Sequence, residues 1–159
     1  MIRIEDATDT DSIAVVRDLL REYRQSLGID LCFQDFDAEL EGLPGNYLRP
    51  DGCNLLARVD GVVAGCGALR RLMDGLCEMK RLYVKAEFRG LGVGRLLAVH
   101  LIGEARKIGY DRNYLDTLPS MAKAQLLYEQ LGFKEIAAYC HNPIAGARYL
   151  GLDLKSQSE

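Results

Sequence analysis

Leu82-Tyr83-Val84-Lys85-Ala86-Glu87-Phe88-Arg89-Gly90-Leu91-Gly92-Val93-Gly94-Arg95 joins a strand to a helix, and its reading decides the fold. Before it, Leu76 to Val84 is strand-like. After it, Val93, Leu96, Leu97, Leu101, Ala105 and Ile108 fall on one helical face, closed by Gly109. Glycines at 90, 92 and 94 permit close backbone approach and unusual φ angles. The new helix adds unpaired N–H groups and the positive end of its dipole, an anion site suited to a pyrophosphate. Arg89 and Arg95 supply charge-assisted bonds. The alternative is a glycine-rich turn with no ligand. A dinucleotide fingerprint needs glycine at 95 or 97, where Arg95 and Leu97 stand, and a Walker loop needs Gly-Lys-Ser/Thr, where Gly94 is followed by Arg95. What remains is R-x-x-G-x-G, formed by Arg89, Gly92 and Gly94.

On the N-terminal side, Val62 to Leu69 and Leu55 to Val59 flank Asp60-Gly61, the signal of a tight type I′ hairpin. Asp74-Gly75 repeats it before Leu76. Farther upstream, Ile13, Val16, Leu20, Tyr23 and Leu27 mark an amphipathic helix behind a capping box at Thr8 to Asp11, ended by Gly28. Phe36 to Gly42 predicts a short second helix, and Ile2 to Glu5 a first strand. Downstream come a short strand around Tyr114-Leu115-Asp116, a helix capped at Pro119-Ser120 and running to Leu131, and strands over Phe133 to Ala138 and Arg148 to Leu154. The order β α α β β β α β α β β predicts an α/β (mixed α+β) fold. Its centre is a mixed, mostly antiparallel sheet of six to seven strands with helices on both faces.

A chain of 159 residues fits a single domain over 1–159, since one domain takes about 150. The 20 basic and 23 acidic side chains leave a net charge of −3, which disfavours nucleic acid as the main partner. No apolar run reaches the roughly 18 residues of a membrane span, and the acidic N-terminus does not read as a signal peptide, so the expected compartment is the cytoplasm. Five cysteines (Cys32, Cys53, Cys66, Cys77, Cys140) contain no C-x-x-C pair, against a disulfide framework or a zinc knuckle. Two histidines offer little for a metal, and none is expected. The serines include no G-x-S-x-G.

With these residues in view, the chain resembles the GCN5-related N-acetyltransferases (GNAT). Their acetyl-coenzyme A (acetyl-CoA) loop, Q/R-x-x-G-x-G/A after a "Leu-Tyr-Val"-like strand end, matches Leu82-Tyr83-Val84 and Arg89 to Gly94. A second signature matches Ala124-Gln125-Leu126-Leu127-Tyr128-Glu129-Gln130-Leu131-Gly132-Phe133. The resemblance implies a GNAT-like domain that binds acetyl-CoA as cosubstrate through Leu82, Tyr83, Val84, Arg89, Gly90, Leu91, Gly92, Val93, Gly94 and Arg95. It implies two splayed strands with the pantetheine arm in the gap, and a backbone N–H meeting the acetyl carbonyl. It implies direct transfer to a primary amine, so no nucleophilic side chain is required.

Two side-chain roles remain. An alkylamine with a pKa near 10.4 must lose a proton before it attacks. Glu78, a carboxylate among Leu76, Cys77 and Met79, is the candidate base, through an intervening water; an edge residue or a partner for Lys80 or Arg81 is the alternative. In the family a tyrosine at the place of Tyr128 protonates the departing thiolate; a core-packing tyrosine is the alternative. Many members carry asparagine seven residues before that tyrosine, and Met121 stands here, which leaves Asp116 or Thr117 to replace the contact. The expected acceptor is a small-molecule amine. A protein lysine or N-terminal acetyltransferase and a non-catalytic acyl-CoA module are the alternatives, and the chain is expected to be a monomer or homodimer. Substrate choice is expected around Leu27 to Asp37, with Asp30, Asp35 and Asp37, and around Tyr139 to Arg148, with Tyr139, His141 and Arg148.

Overall fold

A computed structural model describes residues 1–27 and 36–155. The elements run β1 (Ile2–Asp6), α1 (Thr10–Leu27), α2 (Phe36–Glu41), β2 (Cys53–Val59), β3 (Val62–Met73), β4 (Leu76–Val84), α3 (Val93–Ile108), β5 (Arg112–Thr117), α4 (Ala122–Gln130), β6 (Lys134–Glu135) and β7 (Arg148–Asp153). One seven-stranded sheet has the order β1-β2-β3-β4-β5-β7-β6. Every neighbouring pair is antiparallel except β4 and β5, which run parallel. The crossover between those two is α3, as a parallel connection requires.

Asp60 and Gly61 take φ of 51° and 84°, the two positive values of a type I′ turn, so the hairpin β2–β3 forms where its sequence signal lies. At the start of α1, Asp9 rather than Thr8 is the cap: its Oδ1 accepts the Ser12 N–H at 2.8 Å. The strand expected over Phe133 to Ala138 shrinks to Lys134–Glu135, which pair with Gly151 and Leu150. The stop expected at Gly28 lies outside the described residues.

Side-chain alternation sends one set of sheet residues to each face. Ile13, Val16, Leu19 and Leu20 of α1 and Phe36 and Leu40 of α2 pack on Leu56, Cys66, Ala68 and Tyr83. On the other face Val93, Leu97, Ala98, Leu101 and Ala105 of α3, with Tyr128 of α4, pack on Leu55, Leu69, Met79, Leu115 and Leu150. Leu97 and Leu101 are fully buried. Each such side chain contributes roughly 1.5–3 kcal/mol, so this stripe is what fixes the position of the α3 N-terminus.

Candidate active site

β4 and β5 hold together only at their starts. Leu76, Cys77 and Glu78 pair with Arg112, Asn113 and Tyr114, and no pairing continues beyond them. Two features of β4 open the gap. The register against β3 slips between Ala68↔Lys80 and Cys66↔Tyr83, so β4 carries one extra residue there. Arg81, at that slip, sits at φ 61°, a left-handed conformation uncommon for an arginine. The bulge turns the end of β4 away from β5. A cleft fills the divergence, lined by Met79, Lys80, Arg81 and Leu82 from β4 and Leu115, Asp116 and Thr117 from β5. Tyr23 of α1, Ala124 and Tyr128 of α4, and Met121 and Asn142 complete the lining. The cleft therefore runs through the sheet, from the α3–α4 face to the α1 face.

The backbone of β4 beyond the bulge is an unpaired edge on the cleft side. The Lys85 N–H donates to the Ala64 carbonyl at 2.8 Å, and Tyr83 is paired with Cys66. Antiparallel alternation then aims the N–H and C=O of Leu82 and Val84 at the gap. The Val84 carbonyl accepts the Arg89 Nε–H at 3.1 Å, which ties the glycine loop to the strand end. Gly90 and Gly92 have φ of 84° and 86°. A Cβ built on either would meet no heavy atom within 4 Å, so their surroundings are open. The first intrahelical bond of α3 is Leu96 N–H to Gly92 C=O, 3.1 Å, which leaves the amides of Val93, Gly94 and Arg95 pointing out of the helix end. Arg95 reaches Gln130 Oε1 at 2.6 Å and is exposed.

The Tyr128 side chain is buried, packs edge-on against Phe133 at 5.7 Å, and makes no hydrogen bond among the described residues. Burial, with the nearby Tyr23 and Asp116, pushes its phenol above the ordinary 10. Glu78 is 1% exposed, and both of its oxygens are taken. Oε1 accepts Arg70 Nε and Nη2 at 2.9 and 2.8 Å, and Oε2 accepts the Tyr139 hydroxyl at 2.6 Å. Asp116 is the carboxylate that lines the cleft; its Oδ2 accepts Asn142 Nδ2 at 3.1 Å and lies 3.9 Å from Cys140 Sγ. No group of three or more His, Cys, Asp or Glu side chains suited to a metal occurs among the described residues, and no described helix is long and apolar enough to cross a membrane.

Residues 13–133 match the family model described as Acetyltransferase (GNAT) family. An uncharacterized N-acetyltransferase of Schizosaccharomyces pombe is 43% identical over 138 residues, covering 86% of this chain and 85% of that one. The chain belongs to the GNAT acetyltransferase family. It is an acyltransferase. N-acetylaspartate synthetase of Rattus norvegicus is 33% identical over 102 residues, 63% of this chain and 34% of the other. A GNAT-family acetyltransferase of Staphylococcus aureus has the same fold, with TM-score 0.80, 24% identity and coverage of 97% and 99%. YncA of Salmonella typhimurium, solved with its cofactor acetyl-CoA, superposes with TM-score 0.72 at 21% identity, covering 99% of this chain and 96% of that one.

Within this GNAT domain the residues singled out in the sequence separate. Leu82 and Val84 present their backbone at the gap, and Val93, Gly94 and Arg95 present free amides at the start of α3. The Tyr83 side chain does not join them. It faces α1, where its hydroxyl donates to Glu22 Oε2 at 2.6 Å. Arg148 is committed to Gln125, Glu129 and Glu135, at 2.9, 3.0 and 3.2 Å. His141 is exposed. Asp30 and Asp35 lie outside the described residues, and Asp37 pairs with Arg24. Met121 occupies the cleft wall beside Thr117, whose Oγ1 lies 3.7 Å from its sulfur. Lys80, Asn142 and Tyr23 are cleft residues that sequence reasoning passed over. Lys80 had a signal, a charge inside an apolar strand; Asn142 and Tyr23 arrive from distant loops and helices.

Proposed function

We propose that this protein transfers the acetyl group of acetyl-CoA to the primary amine of a small molecule. The observation that carries the reading is the splay of β4 from β5, which ends at the outward-pointing amides of α3. Acetyl-CoA supplies an activated thioester. Its pyrophosphate suits the amides of Val93, Gly94 and Arg95, with Arg89 and Arg95 adding charge, and its arm suits the unpaired edge at Leu82 and Val84. An edge N–H there serves as donor to the thioester carbonyl.

Glu78 takes the proton that the amine loses as its nitrogen bonds to the acyl carbon and the C–S bond breaks. Because Arg70 and Tyr139 enclose it, Glu78 acts at one remove, through the Tyr139 hydroxyl or a water. Tyr128 meets the departing sulfur. A phenol held above its ordinary pKa stays protonated at neutral pH and stabilises a thiolate chiefly by donating a hydrogen bond. The relative named for N-acetylaspartate supports a small-molecule acceptor. The test is amine-dependent release of coenzyme A thiol with mass detection of the acetylated acceptor. Steady thiol release with no acetylated amine would overturn the reading.

A further inference from the structure

Lys80 of β4 and Asp116 of β5 face the same cleft from opposite strands, and the acetyl-transfer roles above use neither. The arginines beside Lys80 are both committed. Arg81 holds Glu39 with Nε at 2.7 Å and Nη2 at 3.1 Å, and Arg70 holds Glu78. Lys80 is partly buried and has no hydrogen bond or ion pair among the described residues. Asp116 is likewise only half satisfied: its described bonds fall on Oδ2. The two charges lie close enough to influence one another, yet no ion pair joins them within 4.0 Å.

A partly buried ammonium with no carboxylate in direct contact is poorly compensated: Glu78 and Asp116 act on Lys80 only from beyond ion-pair distance. Burial and the Arg81 charge accordingly hold the Lys80 ammonium below its ordinary 10.5. An anion in the cleft would relieve both effects. A cation would do the same for Asp116. A molecule with both charges a few bonds apart answers the pair at once.

We propose that the acceptor is an amino acid or a similar small zwitterion, its carboxylate held by Lys80 and its ammonium received at Asp116. This rests on the acetyl-transfer reading and adds the substrate class to it. The amine then arrives on the α1 side of the bulge, while Tyr128 and α3 stand on the other side, so the two substrates meet within the splay.

The experiment compares matched acceptors: L-alanine with ethylamine, L-phenylalanine with phenethylamine, and L-alanine with its amide. Thiol release is measured on wild type, Lys80→Met and Lys80→Arg, with melting temperature recorded for each. In wild type the carboxylated partner of each pair should be preferred by about 10- to 100-fold in kcat/KM, the range of one charge-assisted contact. Lys80→Met should remove that preference by raising KM for carboxylated amines far more than for the plain amines, and keep its melting temperature. Lys80→Arg should keep most of the preference, which a lysine acting as proton acceptor would not. Equal use of both partners by wild type, or an equal loss on both in Lys80→Met, overturns the proposal while acetyl transfer stands. No thiol release from any amine, in a protein that binds acetyl-CoA, overturns the transfer reading itself and this proposal with it.

Discussion

Replacing Gly92 by valine separates the proposed anion site from the fold that holds it. At φ 86° a non-glycine residue is strained by about 1–2 kcal/mol, with a β-branched side chain at the upper end. Nothing clashes, because a Cβ there has no heavy atom within 4 Å. In a domain of this size each kcal/mol lowers the melting temperature by roughly 2–4 °C, so the loss should be about 2–8 °C and the protein should stay folded. Binding should suffer far more. The new side chain stands in front of the Val93 and Gly94 amides, and hydrogen bonds to a charged group are worth about 1.5–3 kcal/mol each. Losing one or two raises the Kd for acetyl-CoA by about 10- to 10⁴-fold. Gly109→Val supplies the control: it follows the other end of α3, at φ 107°, also with no heavy atom within 4 Å. It should cost similar stability and leave the Kd alone. Calorimetric titration at a temperature well below both transitions reads the difference. An unchanged Kd in Gly92→Val, or an equal loss in both variants, would refute the assignment of this loop to the pyrophosphate.

Tyr128→Phe keeps the ring on Phe133 and removes the hydroxyl, so kcat should fall by about 10- to 10³-fold with little change in the KM for acetyl-CoA; wild-type kcat in a stable mutant would end the assignment. Glu78→Gln should slow turnover most at low pH and recover part of the rate as the free amine forms at high pH, whereas Asp116→Asn should act mainly on acceptor KM; a Glu78→Gln profile parallel to wild type would remove it from the role of base. Glu39 tests the acid limb of stability. Burial raises its pKa, but the hydrogen bond and charge of Arg81 outweigh that and hold it below the ordinary 4.5. A depressed carboxylate contributes stability that is full above its unfolded pKa and lost as pH falls through the folded one. Glu39→Gln should therefore lower the melting temperature at pH 7 and flatten its fall below about pH 4.5; an unchanged slope in thermal scans would contradict this.

The parts of the fold legible in the sequence were those governed by local chemistry. Asp60-Gly61 specifies its turn through two positive φ values, and the α3 stripe specifies its buried face. The glycine loop was legible because only glycine fits its conformation without strain. The parts that escaped depend on offsets between strands. A two-residue turn at Asp74-Gly75 would set Arg71 opposite Glu78, but the shift between Arg71 and Met73 brings Arg70 there instead. That slip makes Arg70, not Arg71, the ion-pair partner of Glu78. The bulge at Arg81 is equally silent, since no glycine or proline marks it, yet it opens the cleft. Tyr139 and Asn142 reach the site from a long segment with little regular structure, where spacing says nothing about contact.

On the proposed reading, the gap between β4 and β5 brings acetyl-CoA and an amine together for direct transfer. Single-turnover mixing of wild-type protein, acetyl-CoA labelled in its acetyl group and an amine tests it most directly. The label should pass to the amine in step with release of coenzyme A thiol, with no accumulation of labelled protein. Label held covalently on the protein before it reaches the amine would contradict direct transfer.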